Sequence, residues 1–152
     1  MLNPDFRDML LCLTEEKVEF LIVGAYALAA HGLPRATGDI DILVRCESEN
    51  AQRVLRAVVK FGAPTAHLSE QDFISPNMVV QLGVEPCRID LLTSISGVEF
   101  EDAWQNKVTV EVDGLELYVL SREDLLKNKA ATGREKDKGD IAWLKAQSPT
   151  DA

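Results

Sequence analysis

The chain has 152 residues, 46% hydrophobic and 27% charged, and its 25 acidic against 16 basic side chains leave a formal net charge of −9. That balance excludes a disordered acidic tail and argues against broad attraction to phosphate backbones or anionic membranes, while the length suits one packed domain. Three widely spaced cysteines without a CxxC, and only His31 and His67 as histidines, support neither a disulfide framework nor zinc. The longest apolar stretch, residues 20–30, is broken by His31 and Gly32 and is too short to span a bilayer, and residues 1–7 lack the basic start of a secretory signal. A cytoplasmic protein with no membrane segment is expected.

In chain order, Asn3 caps a helix that starts at Pro4 and carries Phe6, Met9, Leu10 and Leu13 at helical spacing. Phe20 to Val23 reads as a short strand ended by Gly24, and residues 25–31 as a buried helix stopped by Gly32 and Pro34. Residues 39–44 return to strand composition. Residues 48–61 read as a helix with Val54, Leu55, Val58 and Val59 on its apolar face and Gly62 beyond its end. Residues 63–76 have no clear period and are expected to form a loop with one edge strand.

Met78 to Leu82 and Cys87 to Leu92 are strands around the turn chemistry of residues 83–86. Val108, Val110 and Val112, then Leu115, Leu117 and Val119, alternate around Asp113-Gly114, which predicts a hairpin on a two-residue turn of positive φ. Ser121 with Asp124 three residues later opens a helix to about Thr132, and a last helix runs from about Lys136 to Ala146. The expected organisation is one domain over 1–152, with an N-terminal helix in 1–16, a sheet core in 20–120 and C-terminal helices in 121–146. Trp104 and Trp143, at helical positions with apolar neighbours, are expected to pack in the core or an interface.

Asp39 and Asp41 stand two residues apart in an apolar strand, so their carboxylates share one face while Ile40 and Ile42 point to the other. Paired carboxylates on a half-buried strand repel each other and lose hydration, which is costly unless a cation or a cluster of donors compensates. Asp90, in Arg88-Ile89-Asp90-Leu91-Leu92, places a third acid in an apolar strand that a neighbour can bring to the same face. Three hard oxygen donors suit magnesium or manganese. A lone Asp-x-Asp is common; the specificity lies in its position one helix after Gly24-Ala25, a strand-to-helix turn whose free N–H groups suit phosphate. No GxSxG elbow and no P-loop Gly-Lys-Ser/Thr is present.

This combination, Phe20-Leu-Ile-Val-Gly24-Ala25, then Asp39-Ile40-Asp41, then Asp90, resembles the nucleotidyltransferase superfamily that includes DNA polymerase beta and kanamycin nucleotidyltransferase. Residues 31–41 look like small bacterial members, the AbiEii-type toxins and minimal antitoxin enzymes. Lys127, Lys129, Arg134, Lys136-Asp137 and Asp140 are similar to the C-terminal helices of those toxins.

The resemblance implies an α+β fold, with a mixed, mostly antiparallel sheet flanked by helices and helices at the C-terminus. Asp39 and Asp41 would hold the Mg²⁺ or Mn²⁺ bound to a nucleoside triphosphate, and Asp90 would bind a second metal or act as base toward a hydroxyl. Gly24, Ala25, Arg35, Lys129 and Arg134 would contact phosphates. The implied activity is transfer of a nucleoside monophosphate to a protein or RNA acceptor, tRNA included, within a toxin–antitoxin system, with a partner or a homo-oligomer completing the acceptor site. Ala25 departs from the family's usual Ser or Gly and offers only a backbone N–H, which leaves a catalytically weak or inactive protein-binding antitoxin as the alternative. His31 would orient Asp39 or simply end its helix, and Asp137 and Asp140 would pair with Lys136, Lys138 or Arg134 on a helix surface.

Overall fold

The computed structural model describes residues 2–34, 38–84 and 87–147. Asn3 Oδ1 accepts a hydrogen bond from the Asp5 N–H at 2.8 Å, and with Pro4 in the first turn it starts α1 (Pro4–Glu15). Phe6, Met9, Leu10 and Leu13 are buried, and this face of α1 packs on α3 (Ser48–Phe61). Gly62 ends α3 in the left-handed region at φ +95. Val58 is fully buried, but Val59 is 60% exposed, so the apolar face of α3 is narrower than its sequence suggests.

Among the described residues six strands form one sheet: β1 (Phe20–Val23), β2 (Ile40–Val44), β3 (Val79–Leu82), β4 (Ile89–Leu92), β5 (Val108–Val112) and β6 (Leu115–Val119). Their spatial order is β3-β4-β2-β1-β6-β5. Sequential neighbours pair antiparallel as β1 with β2, β3 with β4 and β5 with β6, while β2 with β4 and β1 with β6 are parallel. The mixed, mostly antiparallel sheet with flanking helices is the expected α+β architecture. The β5–β6 hairpin turns on Asp113 and Gly114, at φ +51 and +82, as the Asp-Gly pair predicts.

Helix α2 (Gly24–Ala30) follows β1 directly, and α5 (Arg122–Thr132) follows β6, with the Ser121 hydroxyl accepting from the Asp124 N–H at 3.1 Å. Helix α6 (Lys138–Ala146) starts later than expected because residues 135–137 form a 3₁₀ turn. Two corrections concern the middle of the chain. Residues 63–76 contain no strand: the ordered element there is a 3₁₀ turn, Glu70–Phe73, closed by reciprocal Ser69 and Asp72 hydrogen bonds and pinned by buried Phe73. The turn expected over residues 83–86 lies partly outside the described residues. A helix the sequence reading missed, α4 (Phe100–Asn106), carries Phe100, Ala103 and Trp104 on one face. Trp104 stacks on Phe100 and meets Tyr118 edge-on at 5.3 Å, so it is a packing residue.

Candidate active site

The register of three strands gathers the acidic residues. Val23 pairs with Asp41 across the antiparallel β1–β2 ladder, and Asp41 pairs with Asp90 across the parallel β2–β4 ladder. The strand-to-helix turn at Gly24, Asp41 and Asp90 therefore lie side by side at one end of the sheet, with Asp39 just before β2. Gly24 has φ +67, and a Cβ on it would stand 2.5 Å from Asp41 Oδ2. Glycine is required twice over, by backbone conformation and by the close approach of the carboxylate.

Burial and charge work against ionising Asp41. Asp90 is only 6% exposed. Burial pushes the Asp41 carboxyl up to about 6, helped by the charge of Asp90, by a hydrogen bond between the two carboxyls and by the charge of Asp39, while Arg88 opposes the shift. Arg88 is the counter-charge: its Nε and Nη2 donate to the two carboxylate oxygens of Asp90 at 2.9 and 3.2 Å, and Nη2 also reaches Asp39 Oδ2 at 3.2 Å.

Among the described residues no three His, Cys, Asp or Glu side chains stand as a ready-made cation cage. The donor chemistry nevertheless fits a divalent metal. Asp39, Asp41 and Asp90 supply only hard carboxylate oxygens, and the repulsion between Asp41 and Asp90 is of the kind such a cation relieves.

Beside the carboxylates opens a cavity of about 520 Å³. Val23, Gly24 and Asp41 form one end, Val79, Leu92 and Ile95 an apolar floor, and Ser96, Asn128, Lys129, Thr132 and Arg134 a polar wall. Within the wall, α5 is held to the loop that carries Ser96 by Asn128, which donates to the Ser96 carbonyl at 2.9 Å, and by Gly97. Gly97 packs so tightly on α5 that a Cβ there would lie 2.6 Å from the Ala131 Cβ.

The polar wall is organised around a buried anion, Asp137. It accepts from Lys129 Nζ at 3.2 Å, Thr132 Oγ1 at 2.7 Å and Arg134 Nε at 2.8 Å. Burial alone would raise the Asp137 carboxyl, but these hydrogen bonds and the Lys129 charge outweigh it and hold the group at about 2. Lys129 also pairs with buried Asp140 at 3.2 Å. Lys129 thus faces the cavity with its charge matched from behind, whereas the Arg134 side chain is about half exposed and fixed to Asp137 through Nε.

The structure brings Gly24, Asp41, Lys129 and Arg134 around one cavity, with Asp39 and Asp90 adjoining. Arg35 lies outside the described residues. His31 takes the second of its two alternatives: it ends α2, and its Nε2 donates to the Leu120 carbonyl at 2.8 Å. One expectation is corrected. Asp137 does pair with Arg134, but Asp137 and Asp140 are buried partners of Lys129 and not a surface network. Sequence reasoning missed Arg88, although its position two residues before Asp90 places both on one strand face. It also missed Asn128 and Thr132, for which polar positions on a helix give no distinguishing signal.

Three solved structures share this architecture. A Thermotoga maritima protein assigned as a nucleotidyltransferase is 24% identical, with TM-score 0.64 and 97% of each chain covered. A lincosamide antibiotic adenylyltransferase, solved with lincomycin bound, is 17% identical with TM-score 0.60, covering 97% of this chain and 99% of that one. The antibiotic-resistance factor ANT(2'')-Ia is 14% identical with TM-score 0.55, covering 93% of this chain and 79% of that one. At these identities the likeness defines the fold, that of the nucleotidyltransferases. No curated protein matches the chain. Residues 5–148 match a family described as nucleotidyltransferase of unknown function, DUF6036, and the chain belongs to that family.

Proposed function

We propose that the chain moves a nucleoside monophosphate from a nucleoside triphosphate to a hydroxyl of a protein or RNA acceptor, and that Asp39, Asp41 and Asp90 hold the Mg²⁺ or Mn²⁺ it needs. The observation that carries this reading is the register that sets Asp41 and Asp90 directly opposite one another beside the Gly24 turn. A divalent cation held there would polarise the reacting phosphoryl group and offset the charge of departing pyrophosphate.

The remaining work falls to the chain's own groups. Gly24 lets the backbone come close to the carboxylates, and the N–H of Ala25 is available to a phosphate oxygen. Arg134, anchored through Nε, turns the rest of its guanidinium to the triphosphate, and Lys129 adds positive charge to the same wall. Arg35 is a further candidate for phosphate. Asp90 either holds a second metal or accepts the proton of the attacking hydroxyl.

The test is transfer of label from α-³²P nucleoside triphosphates to cellular RNA or protein, with Mg²⁺ or Mn²⁺, by wild type and Asp39→Asn. Labelling by wild type alone is expected; equal labelling by both overturns the site. Ala25 favours a second reading, a non-catalytic module that binds a protein partner in a toxin–antitoxin pair. Calorimetry that finds neither triphosphate nor Mn²⁺ binding, but tight binding to the product of an adjacent gene, would select it.

A further inference from the structure

Arg88 stands where its charge counts most, and the sequence pattern of the fold does not account for it. Its guanidinium takes both oxygens of Asp90, which is nearly buried, and reaches Asp39 with the same Nη2. One planar fork therefore spans two of the three carboxylates assigned to the metal, at 2.9 to 3.2 Å. We infer that Arg88 is a built-in counter-cation that competes with the divalent ion for Asp39 and Asp90, so that the ion binds only as the guanidinium is displaced from them. This rests on the metal-binding reading above.

The physical argument is one of shared lone pairs and like charges. A carboxylate pair committed to two charge-assisted N–H donors has fewer oxygens to offer a metal. A guanidinium left in place would also stand within a few ångströms of a doubly charged ion, in a partly buried setting where screening is weak. Without Arg88, three carboxylates at the sheet end would repel one another in the metal-free protein. The arginine thus stabilises the empty site and lowers its affinity for free ion. A site of this kind takes its metal preferentially with the triphosphate, whose own charge helps draw the guanidinium away.

Calorimetric titration with Mn²⁺ alone, without nucleotide, tests the inference on wild type, Arg88→Gln and Arg88→Lys. Arg88→Gln is expected to bind Mn²⁺ at least tenfold more tightly than wild type, with Arg88→Lys between them because an ammonium lacks the fork that spans both carboxylates. Arg88→Gln should also gain more in melting temperature from Mn²⁺ than wild type does. Equal or weaker Mn²⁺ binding by Arg88→Gln overturns the inference and leaves the metal site standing. No binding by any of the three proteins overturns the metal site itself, and the inference with it. If Arg88→Gln is unfolded without metal, recovery of its circular dichroism on adding Mn²⁺ supports the inference, since the ion then replaces the guanidinium. An unfolded Arg88→Gln that Mn²⁺ does not rescue, with Arg88→Lys binding no tighter than wild type, overturns it.

Discussion

Asp41 and Asp90 occupy directly paired positions on parallel strands, close enough for a hydrogen bond between their carboxyls. Two acids so placed cost the ligand-free protein stability, and the structure retains them at the end of the sheet where the cavity opens. Replacing Asp41 with Asn removes the repulsion and keeps a polar group. Thermal denaturation without metal is expected to show a variant about 1 kcal/mol more stable than wild type, while nucleotidyl transfer falls to background. A variant that loses stability and keeps activity would contradict the placement.

Gly24→Ala probes the same point from the backbone. The left-handed φ costs an alanine about 1 kcal/mol, and its Cβ must push Asp41 aside. Urea denaturation should show a loss of about 1–3 kcal/mol in total. Mn²⁺ affinity should fall with it, because the displaced carboxylate is one of the proposed ligands.

Lys129 and Arg134 share a cavity wall but differ in how firmly the fold depends on them. Lys129→Met leaves Asp137 and Asp140 buried without their shared cation, so chemical denaturation should report a loss of about 3–5 kcal/mol. Arg134→Ala removes a half-exposed side chain. It also removes one of three hydrogen bonds to buried Asp137, so its melting temperature should fall, though less than that of Lys129→Met, and the KM for triphosphate should rise.

Asp137 sets an acid limit. Its folded carboxyl sits at about 2 against an ordinary 3.8, so the stability it contributes is complete above pH 3.8 and is lost as pH falls through about 2. Melting temperatures recorded between pH 5 and 2 should drop across the lower part of that range. In Asp137→Asn that part of the decline should flatten.

Ala25→Ser restores the hydroxyl common at this position of the superfamily. One added hydrogen bond to a charged phosphate oxygen is expected to lower the KM for triphosphate about tenfold. No change would place the triphosphate away from the α2 N-terminus.

The sequence was most legible where local chemistry and the long-range fold agree. Asn3-Pro4, Asp113-Gly114 and Gly62 each specify a backbone conformation on their own, and each stands where expected. The strand acids were legible because carboxylates in apolar runs are costly and call for an explanation. Arg88 was not, since nothing local shows that its fork spans acids from two strands. The buried pairing of Lys129 was illegible for a related reason. In sequence it is one of several lysines on a polar helix, and only the 3₁₀ turn at residues 135–137 swings Asp137 beneath it. Helix α4 escaped because seven residues carry too short a period to stand out from the loops around it.

The contact between Gly97 and Ala131 has a consequence for what the cavity admits. With no room for even a methyl group between the loop and α5, the seam between them has no slack. Gly97 meets the Ala131 methyl and the Lys127 carbonyl of α5, so at that point the loop cannot move toward the helix. Any residue larger than glycine at position 97 would have to push its loop and α5 apart, and with them the Ser96 and Asn128 sides of the cavity.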